Sequence, residues 1–105
     1  MEKFDKKTGH SIVEKYLPHN FLAEKIILSS LLNNSDTITI VSQNLNIESF
    51  YFKNHQEIYK AILNMYNQKL SIDIVTLTTY LQDNGLLDRI GGIKVLVELI
   101  SQIPN

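Results

Sequence analysis

The chain has 105 residues, of which 44% are hydrophobic and 20% are charged, a composition typical of one soluble globular domain. Its formal net charge of −1 provides no general positive field for a nucleic-acid backbone. No apolar run approaches the roughly 20 residues that a membrane-spanning helix needs. Cysteine is absent, which excludes disulfides, thiolate metal sites and a cysteine nucleophile.

The first residues mix lysines with acidic residues and lack the apolar segment of a signal peptide. We therefore predict a flexible arm over residues 1–16, followed by one compact helical domain over residues 17–105. The abundance of Ile, Asn and Lys suggests an AT-rich genome, bacterial or plastid, so we expect the bacterial cytoplasm or the plastid stroma.

The first predicted helix begins after Asn20, a good N-cap, because Pro18 biases Leu17 away from helical geometry. Residues 21–32 are apolar on most sides, which predicts a central helix. A second segment begins at Asp36, a candidate cap. Residues 37–41 are β-branched and favour a strand by propensity, but no partner strand is evident, so we predict a helix.

An aromatic-rich turn over residues 47–52 leads to Asn54, a candidate cap for the most clearly amphipathic helix, which should close near Gln68. Asp73 is placed to accept the Thr76 amide, and Gly85 to supply a left-handed C-terminal residue. The last helix follows the Gly91-Gly92 turn and ends before Pro104. The prediction is an all-α domain of five to six short helices, with structural residues Asn20, Asp73, Gly85, Gly91 and Gly92.

The sequence has few residues whose pattern indicates a metal site, a catalytic site or a ligand-binding site. His10, His19 and His55 lack the spacing of a zinc site, so we predict no metal, and no serine elbow or paired carboxylates indicate catalysis. The Gly91-Gly92-Ile93-Lys94 run is not a P-loop, and a turn with a cap is favoured over an anion site. Phe50-Tyr51-Phe52 resembles a stacking platform for single-stranded nucleic acid, but the core is favoured because little positive charge surrounds it.

The ordered motifs nevertheless resemble one family. Leu17-Pro18-His19-Asn20, Ala23-Glu24 and Leu28-Ser29-Ser30-Leu31-Leu32 resemble the opening of DnaB-type replicative helicases. Phe50-Tyr51 with His55, Ile58 and Tyr59 is similar to the family's aromatic turn and third helix. Asp73-Ile74-Val75-Thr76-Leu77, Gly85-Leu86-Leu87 and Gly91-Gly92 then follow in the family's order, so the resemblance covers roughly residues 17–105.

The resemblance implies a collar domain that holds helicase subunits in a hexamer and docks primase or a helicase loader. In the family a helical hairpin and an ATPase domain that binds ATP and Mg follow the position of Pro104, and we expect this chain to end before both. The resemblance thus implies an ATP-dependent helicase as parent protein, while this chain alone carries no cofactor site. We expect the isolated chain to be a monomer or weak dimer that binds neither nucleic acid nor membranes directly.

Partner contacts are expected at surface residues on two segments, namely Tyr51, His55 and Tyr59 near the third helix and Asp88, Arg89 and Lys94 around the Gly91-Gly92 turn. For each of these residues a purely structural role is at least as strong an alternative, with the tyrosines closing the core and the charges only solvated. Two other classes of function also stay open, a free-standing helical adaptor and a small DNA-binding module.

Overall fold

The computed structural model describes residues 20–101 and contains five α-helices in that range. They are α1 (Phe21–Asn33), α2 (Thr37–Asn44), α3 (Lys53–Asn67), α4 (Ile74–Asp83) and α5 (Ile93–Ile100), with a 3-10 turn at Ile47–Ser49. No strand occurs among residues 20–101. The predicted all-α fold is confirmed. The predicted arm over residues 1–16, His10, His19 and Pro104 lie outside the described residues.

Helix α1 is central because it packs against α2, α3 and α5. Its start is fixed as predicted, since the Asn20 side chain accepts the Ala23 amide at 2.9 Å. Leu28 and Leu31 on its inner face are fully buried. This helix therefore forms the middle of the hydrophobic core.

Helix α2 forms despite its β-branched sequence. Ile38 is buried in the core, and Val41 packs against it, so tertiary burial outweighs the local preference for a strand. The predicted side-chain cap by Asp36 is wrong, because that carboxylate makes no capping hydrogen bond. Instead the Thr37 amide donates to the Asn34 carbonyl at 3.0 Å, so a turn of backbone satisfies the helix start.

Helix α3 supplies the largest share of the core through one face. That face comprises His55, Ile58, Tyr59, Ala61, Ile62 and Met65, all of them buried. The predicted cap at Asn54 is wrong, since the helix begins at Lys53 and Phe52 is its N-cap. The Asn54 amide nitrogen donates to the Ile90 carbonyl at 3.2 Å and so ties α3 to the turn before α5.

Helices α4 and α5 close the domain. The Asp73 carboxylate accepts the Thr76 amide at 2.8 Å, which confirms the predicted cap of α4. Leu77 and Leu81 of α4 and Leu96 and Leu99 of α5 are buried. The two helices pack against each other, and α5 also lies against α1, so the last helix completes the core from the far end of the chain.

Helices α3 and α4 end in the same hydrogen-bonded motif. After α4, the Leu86 amide donates to Leu81 at 2.8 Å while Gly85 has a φ of 69°. After α3, the Leu70 amide donates to Met65 at 2.9 Å, but the left-handed position is held by Lys69, with a φ of 63°. Glycine was predicted at the end of α4, whereas the sequence at the end of α3 carries no such signal.

Because lysine holds the left-handed position after α3 and glycine holds it after α4, we expect substitutions at the two positions to change stability in opposite directions. We expect Lys69→Gly to raise the free energy of unfolding by about 0.5–1 kcal/mol, because it removes the strain of a side chain in left-handed geometry. Gly85→Ala should lower the same free energy by about 1 kcal/mol, since strain alone opposes it and no atom lies within 4 Å of the added Cβ. Urea denaturation measures both, and a destabilised Lys69→Gly variant would contradict the assignment.

Candidate functional site

A buried acid-histidine pair joins α1 to α3. Glu24 lies in the first turn of α1 and His55 in the first turn of α3, and both side chains are fully buried. The Nδ1 of His55 lies 2.7 Å from Oε1 of Glu24. Because a carboxylate oxygen only accepts, the imidazole carries its proton on Nδ1 and donates to Glu24.

The same carboxylate also holds the segment that precedes α3. Its Oε2 accepts the Tyr51 amide at 2.7 Å, and Oε1 lies 3.5 Å from the Phe52 amide. Burying an acidic group is costly unless hydrogen bonds replace water, and these donors meet that requirement. Glu24 therefore fixes the backbone at residues 51 and 52 against the first turn of α1.

Aromatic rings cover the pair on its outer side. The Phe21 ring stacks on the His55 ring with centroids 4.5 Å apart, and the Phe52 ring meets Phe21 edge-on at 4.8 Å. The Tyr51 ring in turn meets Phe52 edge-on at 5.1 Å. Phe21 is 38% exposed and Tyr51 58% exposed. We call Phe21, Tyr51 and Phe52 the aromatic surface.

One positive side chain borders this surface. The Lys25 Nζ lies 5.3 Å from the centroid of the Phe21 ring, within the range of a cation-π contact. The Glu24 hydrogen bonds hold the backbone at residues 51 and 52, from which the Tyr51 and Phe52 rings extend. Partly exposed aromatic side chains of this kind are typical anchors of protein interfaces.

Burial lowers the pKa of His55 from its ordinary value of 6.5, although the hydrogen bond to Glu24 and its charge act in the opposite direction. Lys25 adds a smaller lowering effect. The His55 Nε2 is buried and has no hydrogen-bond partner within the described part of the chain. A protonated imidazole would therefore carry a buried, unsatisfied N–H, which agrees with a neutral ring at pH 7.

The lowered pKa of His55 predicts a pH dependence. Because the unfolded chain takes up the proton at a higher pH than the folded one, the free energy of unfolding should fall as the pH drops below about 6.5. The slope from this group is at most about 1.4 kcal/mol per pH unit. His55→Asn places an amide donor near the Nδ1 position without a titrating ring. Urea denaturation between pH 8 and pH 5 should show a shallower slope for the variant, and equal slopes would contradict the assignment.

Two residues that were predicted to contact a partner at the surface are buried instead. His55 and Tyr59 have no exposed surface, so neither side chain is available to a partner. The Tyr59 hydroxyl donates to the Leu45 carbonyl at 2.8 Å, and its ring lies against Phe50. Burial also raises the pKa of Tyr59. Of the three aromatic-turn candidates only Tyr51 is at the surface.

The second group of predicted contacts is exposed. Asp88, Arg89 and Lys94 all lie at the surface, and Arg89 Nη1 is 3.7 Å from Oε2 of Glu57 on α3. An exposed pair of this length contributes little to stability. Gly91 and Gly92 take φ values of 112° and 89°, so the turn between these candidates has the backbone that glycine was predicted to supply.

The residues of the predicted stacking platform, Phe50-Tyr51-Phe52, do not lie on one exposed surface. Phe50 is 1% exposed and belongs to the core, as favoured from the sequence, whereas Tyr51 points outward. Within residues 20–101 no cluster of three His, Cys, Asp or Glu side chains is arranged to hold a metal ion. No helix in the same range has the length and apolar character to cross a membrane.

Comparison with known proteins decides the family. A family model described as the DnaB-like helicase N terminal domain matches residues 16–105. The chain belongs to this family. A probable replicative DNA helicase of Trieres chinensis is 66% identical over 105 residues, which are 100% of this chain and 23% of that protein. The resemblance read from the motifs is thereby confirmed.

More distant relatives of this DnaB-type domain agree. The replicative DNA helicase DnaB of Nostoc sp. is 39% identical over 85 residues, which are 81% of this chain and 10% of that protein. The crystal structure of the N-terminal domain of DnaB helicase from Mycobacterium tuberculosis matches with a TM-score of 0.78 at 38% identity. That match covers 85% of this chain and 64% of the other, so the DnaB-type domain spans only part of its relatives.

The role of Glu24 in this DnaB-type domain was not predicted from the sequence. Glu24 was noted only within the family-like Ala23-Glu24 motif, and His55 only as a surface side chain. A signal was present, because an acidic residue in the first turn of so apolar a helix needs a partner when the helix is central. The sequence does not say which of the distant polar residues is that partner.

Proposed function

We propose that this chain is the collar domain of a replicative DNA helicase, where it associates with other subunits and docks a primase or helicase loader. The family and the names of the relatives support the helicase context. By the same reasoning the parent protein is an ATP-dependent DNA helicase whose ATP and Mg sites lie in another domain. It acts in the bacterial cytoplasm or the plastid stroma.

The aromatic surface is the observation that carries the docking role. Phe21 and Tyr51 expose ring area at the surface, and the buried Glu24 carboxylate holds the Tyr51 backbone at 2.7 Å. An anchor that is already fixed loses little conformational entropy when a partner binds. Aromatic residues are also enriched among the few side chains that dominate interface energies.

Asp88, Arg89 and Lys94 form a second part of this proposal. Their exposure permits contact with a charged partner, and exposed charges mainly steer association and set its salt dependence. We therefore assign affinity to the aromatic surface and orientation to these three charged residues.

Calorimetric titration of the 105-residue chain with a primase helicase-binding domain, and separately with a loader, tests the docking role. Tyr51→Ala should weaken binding at least about tenfold, as expected for an aromatic interface anchor. Tyr66→Ala is the matched control, because Tyr66 is a 44% exposed tyrosine at the other end of α3. Equal affinities for both variants, or no binding to either protein, would exclude docking through the aromatic surface.

A second measurement distinguishes the collar role from the two alternative functions, a small DNA-binding module and a free-standing adaptor. A small DNA-binding module should bind labelled single- or double-stranded DNA at low salt and lose affinity steeply as salt rises. The formal net charge of −1 argues against that outcome. A free-standing adaptor would bind the replication partner with no helicase subunit present, and joint binding with helicase subunits would favour the collar.

A further inference from the structure

Asn84 is the one asparagine of the sequence that is followed by glycine. In such a pair the backbone nitrogen of the glycine is unhindered, because glycine has no Cβ beside it. That nitrogen can attack the side-chain amide carbon of the preceding asparagine, whereas a larger following residue blocks the approach. The Asn84-Gly85 pair lies at the end of α4, and both residues are exposed. Sequence and exposure therefore mark this pair for a reaction between a side chain and the adjacent backbone.

We infer that Asn84 is a site of spontaneous deamidation, and that opening of the turn at the end of α4 sets its rate. The Gly85 nitrogen loses its proton to solvent base and forms a bond to the Asn84 Cγ. The side-chain nitrogen takes up a proton and leaves as ammonia, and the product is a cyclic succinimide. Water then opens the ring. Attack of water at Cγ gives aspartate, whereas attack at the main-chain carbonyl carbon gives isoaspartate, in which the backbone runs through Cβ and Cγ.

The folded end of α4 keeps the reacting groups apart. At the ψ of 9° that Asn84 adopts, the Gly85 nitrogen is nearly eclipsed with the Asn84 backbone nitrogen and so lies away from the Asn84 side chain. The Gly85 N–H donates to the Gln82 carbonyl at 3.1 Å. The Asn84 side-chain nitrogen, which is the leaving group, donates to the Tyr80 carbonyl at 2.8 Å. Ring closure therefore requires that these hydrogen bonds break and that ψ of Asn84 rotates.

The opening that the reaction needs is confined to the end of one helix. The hydrogen bond between Asn84 and Tyr80 is exposed, and no atom lies within 4 Å of the Cβ position at Gly85. The turn is closed by the Leu86 amide, which donates to Leu81 at 2.8 Å. Helix ends with few buried contacts open more often than the core does. We therefore expect deamidation in the folded chain, at a lower rate than in the unfolded chain.

The equivalent turn at the end of α3 lacks this reactive pair. The hydrogen bonds that close the two turns have the same spacing, so Gln68 corresponds to Asn84 and Lys69 to Gly85. A glutamine side chain at the first position would have to form a larger ring, and the lysine side chain hinders the attacking nitrogen. The two helix ends therefore share a backbone motif but differ in their chemistry.

Isoaspartate would change the end of α4 permanently. Its backbone has one more carbon atom between Cα and the next backbone nitrogen, so the Leu86 amide is displaced from the Leu81 carbonyl that it reaches at 2.8 Å. Both products also place a negative charge at the C-terminus of the helix, where the helix dipole disfavours it. The turn that follows carries the exposed Asp88 and Arg89, so the modification alters the segment that presents them.

Incubation of the 105-residue chain at pH 8 in heavy-oxygen water, with and without denaturing urea, tests the inference. Mass spectrometry of its peptides should show label uptake at Asn84 at least about tenfold more slowly without urea, equivalent to about 1.4 kcal/mol of opening free energy or more. Asn67, an exposed asparagine at the end of α3, is the reference within each sample and should stay unmodified. Equal rates with and without urea, no modification of the folded chain, or equal modification of Asn67 overturns the inference.

Two variants test the attacking nitrogen and the isoaspartate backbone individually. Gly85→Ala, measured in urea so that folding does not contribute, should slow the reaction at least about tenfold because its methyl group hinders the nitrogen. Asn84→Asp carries the charge of the product on an ordinary backbone. Hydrogen exchange of the Leu86 amide should be at least about tenfold faster in the isoaspartate chain, isolated by chromatography, than in Asn84→Asp. An unchanged rate for Gly85→Ala, or equal exchange in the two product chains, contradicts the inference.

Discussion

Glu24→Ala is expected to lower the free energy of unfolding by about 3–5 kcal/mol. The substitution removes the acceptor, at 2.7 Å, of the buried His55 Nδ1–H and of the part-buried Tyr51 amide. Each buried donor that loses its partner costs about 1–3 kcal/mol. A domain of this size has about 5–15 kcal/mol in total, so the loss is severe. Urea denaturation measures it.

Two further variants keep this prediction falsifiable if Glu24→Ala does not fold. Glu24→Gln retains one acceptor oxygen but adds an amide donor next to another donor, so we expect a smaller loss than with alanine. Glu48→Ala is the control at an exposed acidic residue of the 3-10 turn, where a change within about 0.5 kcal/mol is expected. Loss below about 1 kcal/mol for both Glu24 variants is incompatible with a satisfied buried carboxylate.

A Glu24 variant should also change the aromatic surface. The carboxylate is the group that holds the backbone at Tyr51 and Phe52, so its removal frees the segment that presents the rings. In a Glu24→Gln chain that still folds, binding through Tyr51 should weaken although Tyr51 itself is intact. Unchanged partner affinity in that variant would show that the Glu24 contact serves stability alone.

Gly91→Ala is expected to lower the free energy of unfolding by about 3 kcal/mol or more. The φ of Gly91 is 112°, and a Cβ there would lie 2.7 Å from the Cγ2 of Val95. Backbone strain of this kind costs about 1–3 kcal/mol, and overpacking costs about 1–3 kcal/mol more. Val95 is packed against the core and branched at Cβ, so it has little freedom to move away.

A substitution at the neighbouring Gly92 distinguishes backbone strain from overpacking as causes of the loss at Gly91. Gly92 has a φ of 89° and no atom within 4 Å of an added Cβ, so Gly92→Ala should cost about 1–3 kcal/mol through strain alone. Adding Val95→Ala to Gly91→Ala should recover the overpacking part, so that the double variant loses less than the sum of the single losses. Equal losses at Gly91 and Gly92 would show that the contact with Val95 is unimportant.

Most of the local structure was predictable from the sequence. Asn20, Asp73 and Gly85 act within three to five residues of the groups they bond, and chain neighbours of that distance are visible in the sequence. The failures at Asp36 and Asn54 are also local. Both residues are good caps by type, but in α2 a backbone turn already satisfies the helix start, and the Asn54 side chain is used by Ile90.

The candidate site was less predictable. Tyr51 was correctly placed near the surface, whereas His55 and Tyr59 were placed there and are buried. Aromatic and histidine side chains combine an apolar body with a polar atom, so sequence position alone does not decide which part faces water. Each finds its hydrogen bond only after the helices pack, with Glu24 for His55 and with Leu45 for Tyr59.

The sequence by itself determined the family, the all-α class, the order of the helices and most of their ends. These features depend on helical periodicity, on caps and glycines, and on motifs in a fixed order, all of which act over short stretches of chain. Tertiary structure alone decided that Glu24 and His55, 31 residues apart, form one buried pair, and which rings remain exposed above it. The reason is physical: a buried polar group needs a partner, but the partner is selected by how α1 and α3 pack in space.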